Sequence, residues 1–171
     1  MKTIYDLDHQ QLVSLCLDNG FKRYNADQLF KWLYRKRETS FDAMSDLSVR
    51  MREFLKENFS IGLLRILRKQ VSRDGTRKYL FELADGSSIE TVLMHYDYGD
   101  SICVTSQVGC NMGCSFCASG LLKKQRNLTA GEMVGQLLRE KERGSSYLDF
   151  PLSHLCDNLS VTENPVSTLR V

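Results

Sequence analysis

The sequence holds six cysteines in 171 residues, far below the density of a disulfide-stapled secreted domain. It shows no apolar segment ahead of a cleavage site, since Met1-Lys2-Thr3-Ile4-Tyr5-Asp6 is already polar. No run approaches the ~20 consecutive apolar residues of a membrane span. There is no internal repeat and no long low-complexity tract. The net charge of +2 is too small to point to a polyanionic partner by itself. These absences set the expectation of a cytoplasmic, reduced protein, in which clustered cysteines mean metal or redox work.

Three of the cysteines are clustered. Cys110-Asn111-Met112-Gly113-Cys114-Ser115-Phe116-Cys117 has the spacing C-x3-C-x2-C, in a glycine-containing loop after a strand-like segment. Three thiolates at that spacing can hold three irons of a 4Fe–4S cubane and leave the fourth iron open to a substrate or cofactor. A zinc site is the rival reading. It would need a fourth ligand from Cys103, Cys156 or a distant histidine, and the sequence offers no second C-x2-C knuckle. Cys16 falls on the apolar side of a helix with Leu12 and Leu15 and reads as a small buried hydrophobe. Cys103 reads, on its residues alone, as a buried strand cysteine. Cys156 carries no assignment.

With 42% hydrophobic residues, the chain is long enough for one ordinary domain or two small ones. Helical periodicity comes first. Residues 8–19 align Leu12, Leu15 and Cys16, with Gly20 as a stop. Asn25 is placed to cap a helix carrying Ala26, Leu29, Phe30 and Leu33. A third helix near 46–58 uses Met51, Phe54 and Leu55. The period then changes to two. Residues 61–71, 77–83 and 89–95 predict strands, joined by Asp74-Gly75 and Asp85-Gly86 turns. A further strand at 101–106 delivers the chain to the cysteine loop. Beyond it, Thr129 and Glu132 form a capping box for a helix reaching about residue 143. A strand, loop and helix in that order are typical of the first unit of an α/β barrel.

Charge is unevenly spread. Residues 1–85 carry 16 Lys/Arg against 12 Asp/Glu, whereas the rest is slightly acidic. Arg65, Arg68, Lys69, Arg73, Arg77 and Lys78 crowd the first hairpin beside Tyr79 and Phe81. Such a run fits a solvated face and a nucleic-acid surface equally well.

At the cysteine loop the sequence resembles a known family. Val104-Thr105-Ser106-Gln107-Val108-Gly109-Cys110, then Gly113-Cys114-Ser115-Phe116-Cys117-Ala118-Ser119-Gly120, then Arg126-Asn127-Leu128-Thr129, is similar to the radical SAM RNA methyltransferases of the RlmN type. The likeness extends upstream through Ile89-Glu90-Thr91-Val92 and Tyr24-Asn25-Ala26-Asp27-Gln28-Leu29-Phe30-Lys31-Trp32, covering about residues 1–140. The resemblance implies methylation of C2 of adenine in 23S ribosomal RNA and in transfer RNA. The related Cfr-type enzymes, which modify C8, share much of the pattern. It implies that Cys110, Cys114 and Cys117 ligate a 4Fe–4S cluster and that S-adenosylmethionine occupies the open iron. An external electron donor such as flavodoxin would start cleavage to a 5′-deoxyadenosyl radical. It implies further that Glu90 accepts the ring proton, and that Cys103 is the resolving cysteine of a disulfide formed with a methyl-carrying cysteine. The physical need is plain: an adenine ring carbon is no nucleophile and must lose its hydrogen to a base once the new bond has formed.

The likeness implies three regions. An α+β RNA-binding accessory domain of helices then hairpins covers 1–95. The start of a radical SAM barrel covers 96–143, and a divergent tail covers 144–171. The family's Gly-Met-Gly-Glu-Pro-like loop and its late methyl-carrying cysteine find no counterpart in this sequence. The expectation is therefore an interrupted, N-terminal half of such an enzyme that does not methylate RNA alone. A non-catalytic RNA-binding or iron–sulfur module is the reading from another class.

Overall fold

The computed structural model describes residues 2–97, 99–112, 115, 121–141 and 168–170, with backbone alone for 140, 141 and 168–170. The described chain divides into two compact units, residues 2–63 and residues 64 onward.

The first unit is helical. Strand β1 (Lys2–Thr3) pairs parallel with β2 (Phe59–Ser60). Helix α1 (His9–Asp18) starts at Asp8, whose carboxylate accepts from the Gln11 N–H while the Gln11 side chain accepts from the Asp8 N–H. The chain leaves α1 through Gly20 at φ +73°, the stop expected of it. Helix α2 (Arg23–Phe30) begins two residues before Asn25. Asn25 is thus not the cap but the third helical residue, where its side chain accepts from the Lys22 N–H. The helix continues as a π-helical stretch, Lys31–Lys36, ended by Arg37 at φ 54°. Helix α3 (Val49–Asn58) is capped by Ser48, later than periodicity suggested, because Phe41–Ala43 and the following turn precede it. Ile4, Leu12, Leu29, Leu33, Met44, Met51 and Leu55 are fully enclosed in this unit, and Cys16 lies among its buried residues.

The second unit is an antiparallel meander in the order β3 (Arg65–Val71), β4 (Arg77–Glu82), β5 (Ser88–Tyr96), β6 (Gly99–Cys103). Both predicted turns form, with Gly75 and Gly86 in the left-handed region and Asp74 and Asp85 each accepting from the N–H two residues on. Strand β3 starts four residues later than its apolar run. Gly62 sits at φ +67°, where a Cβ would lie 2.3 Å from the Thr3 hydroxyl, so the backbone there turns instead of extending. Strand β6 is shifted two or three residues earlier than the sequence suggested, and its outer edge is taken by β9 (Thr168–Arg170).

Among the described residues every pairing in this unit is antiparallel. Its architecture is therefore hairpins plus a helix. The helix, α4 (Ala130–Lys141), has the capping box read from the sequence: Glu132 N–H donates to Thr129 Oγ1, and Thr129 N–H donates to the Glu132 carboxylate. Tyr79, Phe81, Ile89, Thr91, Leu93 and Ile102 are buried on one sheet face. Helix α4 is tied to that face by a hydrogen bond from Thr91 to Gln136.

Candidate active site

Directly opposed residues of an antiparallel pair share a face, and alternate residues of a strand return to it. Val92 stands opposite Cys103, and Leu80 stands opposite Glu90 and Arg68. Glu90, Val92, Cys103, Leu80, Lys78, Arg68 and Gln70 therefore occupy one face, the face turned away from the buried residues and α4. A bulge at Leu67, between Ile66 and Arg68, sets this phase for Arg68 and Gln70. Glu90 is exposed and Cys103 half-buried. Lys78 Nζ lies 2.9 Å from Glu90 Oε1. Arg68, Gln70, Lys78, Leu80 and Glu90 line a shallow depression of about 240 Å³.

Strand β6 feeds this face into the cysteine loop. Over residues 104–106 the chain makes no strand, because Gln136 takes the place of a neighbouring one: the side-chain amide accepts from Thr105 N–H at 2.9 Å and donates to Thr105 C=O at 2.8 Å. The Thr105 hydroxyl donates to the Glu90 carbonyl. The loop then closes at its base through β7 (Gln107–Val108) and β8 (Arg126–Asn127). Cys110 N–H donates to Leu122 C=O, and Gln125 N–H donates to Val108 C=O, each at 2.8 Å. Gly109, at φ +71°, permits this closure: a Cβ there would lie 2.2 Å from the Lys123 carbonyl oxygen.

Arg126 fastens the base from outside. Its guanidinium makes a two-pronged pair with Glu132, at 2.7 and 2.8 Å, and reaches Asp85 in the β4–β5 turn. Glu132 and then Asp85 raise the Arg126 pKa further. The Ser87 N–H, followed by Arg126, lowers the Asp85 carboxyl to about 2.

The sequence-predicted site residues fall as follows. Glu90 and Cys103 share a face, and Cys110 is half-buried at the start of the closed loop. Cys114, Cys117 and Cys156 lie outside the described residues. Cys16, Cys103 and Cys110 are free thiols. Burial, with Asp27 adding, pushes the Cys16 thiol up, in keeping with an inert core residue. The Cys110 sulfur accepts a hydrogen bond from the Met112 N–H at 3.4 Å. A cysteine sulfur is the donor type that a cluster iron takes. Sequence reading noted Lys78 only as part of the basic hairpin and Gly109 only within the motif, and it missed Gln136. Gln136 did leave a signal, as a polar residue inside the apolar stretch Met133, Val134, Leu137, Leu138.

Residues 2–61 match the family model described as "Ribosomal RNA large subunit methyltransferase N-terminal domain". The chain is 52% identical over 158 residues to a protein of Enterococcus faecalis named probable dual-specificity RNA methyltransferase RlmN, covering 90% of this chain and 43% of that protein. A Streptococcus suis protein of the same name is 46% identical over 178 residues, covering 99% of this chain and 47% of its own length. That alignment runs past the 1–140 stretch which carries the motifs. A crystal structure of a radical SAM methyltransferase from Sphaerobacter thermophilus superposes with a TM-score of 0.76 at 42% identity, covering 84% of this chain and 42% of the other. Among the described residues, no helix is long and apolar enough to cross a membrane. The chain thus spans less than half the length of the curated relatives it matches, and over that span it is a relative of the RlmN-type radical SAM RNA methyltransferases.

Proposed function

We propose that this chain supplies the cluster loop, the proton acceptor and the resolving cysteine of an adenine-C2 methyltransferase acting on 23S ribosomal RNA and transfer RNA. The observation that carries the reading is the shared sheet face of Glu90 and Cys103, delivered by β6 directly into the Cys110 loop. A base and a thiol that act on one ring carbon have to reach the same substrate, and the common sheet face of Glu90 and Cys103 supports that reading.

Cys110, with Cys114 and Cys117, would hold the 4Fe–4S cluster that, with S-adenosylmethionine and an electron from a donor such as flavodoxin, supplies the radical chemistry of this family. The chain's own residues do the rest. Glu90 takes the proton that leaves the ring carbon. Cys103 would attack the sulfur of the methyl-carrying cysteine, so that an S–S bond forms as the bond from that sulfur to the transferred carbon breaks, and that carbon takes up a proton to become the product methyl. The helical unit and the basic hairpins hold the folded RNA as an accessory domain of residues 1–95. Residues 96–143 serve as the first unit of the barrel, within a cytoplasmic enzyme.

Two measurements test this. The chain purified without oxygen is expected to be brown and to carry about four irons, and Cys110→Ala, Cys114→Ala or Cys117→Ala should each strip that iron. Full iron in any of these variants would overturn the ligand assignment. A chimera joining this chain to the remaining length of the Enterococcus faecalis relative is expected to form 2-methyladenosine in RNA, detected by mass spectrometry. Glu90→Gln and Cys103→Ala should abolish turnover. An 8-methyladenosine product would assign the chain to the Cfr-type reaction instead.

A further inference from the structure

The face that carries Glu90 also carries an unmatched positive charge. Three cations lie on it, Arg65, Arg68 and Lys78, with two carboxylates, Glu82 and Glu90, fixed by the same register. Arg65 pairs with Glu82 at 2.9 Å, and Lys78 pairs with Glu90 at 2.9 Å. Arg68 has no ion-pair partner among the described residues. It is exposed on the β3 side of the depression, diagonal to Lys78, with the exposed Gln70 amide beside it. Diagonal neighbours across a ladder are within reach of one another's long side chains. Two cationic side chains and an amide around a shallow open depression are the donor set of a phosphodiester site.

This arrangement has a consequence for Glu90. The ammonium of Lys78 sits against one oxygen of the carboxylate. A carboxylate oxygen engaged by an ammonium is not open to a ring hydrogen. Lys78 lies on β4, between Gln70 on β3 and Val92 on β5. Its half-exposed side chain can turn to either flank: toward Glu90, or toward Arg68 and Gln70. An anion beside Arg68 draws it to the second flank.

We propose that Arg68, Gln70 and Lys78 form a cradle for an RNA phosphate, and that filling it draws Lys78 off Glu90 and opens that carboxylate to the adenine. The inference rests on the reading of Glu90 as proton acceptor. Lys78 is a positioning residue, acting through Glu90. No covalent step is involved, because one ion pair is exchanged for another.

The test uses the full 171-residue chain and a fluorescein-labelled, adenine-containing single-stranded RNA. Its affinity is measured by anisotropy between about 50 and 200 mM KCl. Arg68→Ala and Lys78→Ala should each lower the slope of log K against log salt by about 0.7, the share of one phosphate contact on a single strand. Lys78→Arg should restore it. Glu90→Gln is expected to tighten binding about two- to fivefold, because Lys78 no longer has to leave a carboxylate. That gain should vanish in the Lys78→Ala background. A structural role would not produce it.

An unchanged salt slope in Arg68→Ala and Lys78→Ala overturns the cradle. A Glu90→Gln gain that survives Lys78→Ala overturns the exchange, since it would be simple relief of repulsion. Inorganic phosphate displacing the RNA far better than chloride at matched ionic strength would make this a free-phosphate site and overturn the RNA assignment. Failure of the wild-type chain to bind the RNA at all would overturn it too. None of these results touches iron content, so the cluster assignment fails or stands separately.

Discussion

Gln136 pairs with Thr105 as a neighbouring strand would, its amide accepting from the Thr105 N–H and donating to the Thr105 carbonyl. The same amide oxygen accepts from the Thr91 hydroxyl at 2.6 Å, and Gln136 is wholly buried. One helix side chain thus fixes the segment between Cys103 and the cysteine loop against β5. It follows that Gln136→Leu, although nearly isosteric and apolar, strands three polar groups. Each unsatisfied buried group costs ~1–3 kcal/mol, so the loss should be at least about 3 kcal/mol, read as a lower urea midpoint. Gln136→Glu should be at least as damaging, because it replaces the donor facing Thr105 C=O with a charged acceptor. A midpoint shift within experimental error would refute the role.

Gly109 and Gly86 separate two reasons for glycine. Both have positive φ, +71° and +81°, but a Cβ at Gly86 meets nothing within 4 Å, whereas one at Gly109 strikes the Lys123 carbonyl. Gly86→Ala should therefore cost only the left-handed backbone penalty of about 1 kcal/mol. Gly109→Ala adds a backbone collision and should cost at least about 2 kcal/mol. Because the collision lies at the base of the cysteine loop, Gly109→Ala should also lose iron on reconstitution while Gly86→Ala keeps it. Equal iron in both variants would show that loop closure does not govern the cluster site.

Much of this was legible in the chain because it depends on local chemistry. Asp74-Gly75 and Asp85-Gly86 dictate their turns through one side-chain oxygen and one left-handed residue. Thr129 and Glu132 cap α4 by spacing alone. What the sequence hid depends on register and on distant backbone. Lys78 faces Glu90 only because β4 and β5 align in one phase. The run from Ile61 looks like strand until Thr3 is known to lie against Gly62. Asn25 looks like a cap because its type suits that position, yet the helix starts two residues earlier and uses Asn25 from inside.

Cys16 offers a check on burial as the cause of its raised thiol pKa. Desolvation, with Asp27 adding, disfavours the thiolate, which is the reactive form. Its labelling by a disulfide reagent at pH 8 should therefore be slower than that of the half-buried Cys103, measured by peptide mass spectrometry. In denaturant the two rates should converge. Faster labelling of Cys16 in the folded chain would contradict its place in the core.

Asp85 gives the pH dependence a definite sign. Its carboxyl lies at about 2 in the folded chain against an ordinary 3.8, held down first by the Ser87 N–H and then by Arg126. A folded pKa below the unfolded one means that the unfolded chain binds the proton more readily. The contribution of Asp85 to stability is thus fully present above about pH 4 and falls as the pH drops toward 2. Asp85→Asn should lower the melting temperature at pH 6 and narrow its gap from wild type as the pH falls through that window. Arg126 would remain tied to Glu132 in the variant, so the cysteine loop keeps one anchor and the effect should stay modest. A gap that widens on acidification would mean that Asp85 carries no depressed pKa and that the β4–β5 turn does not anchor the loop.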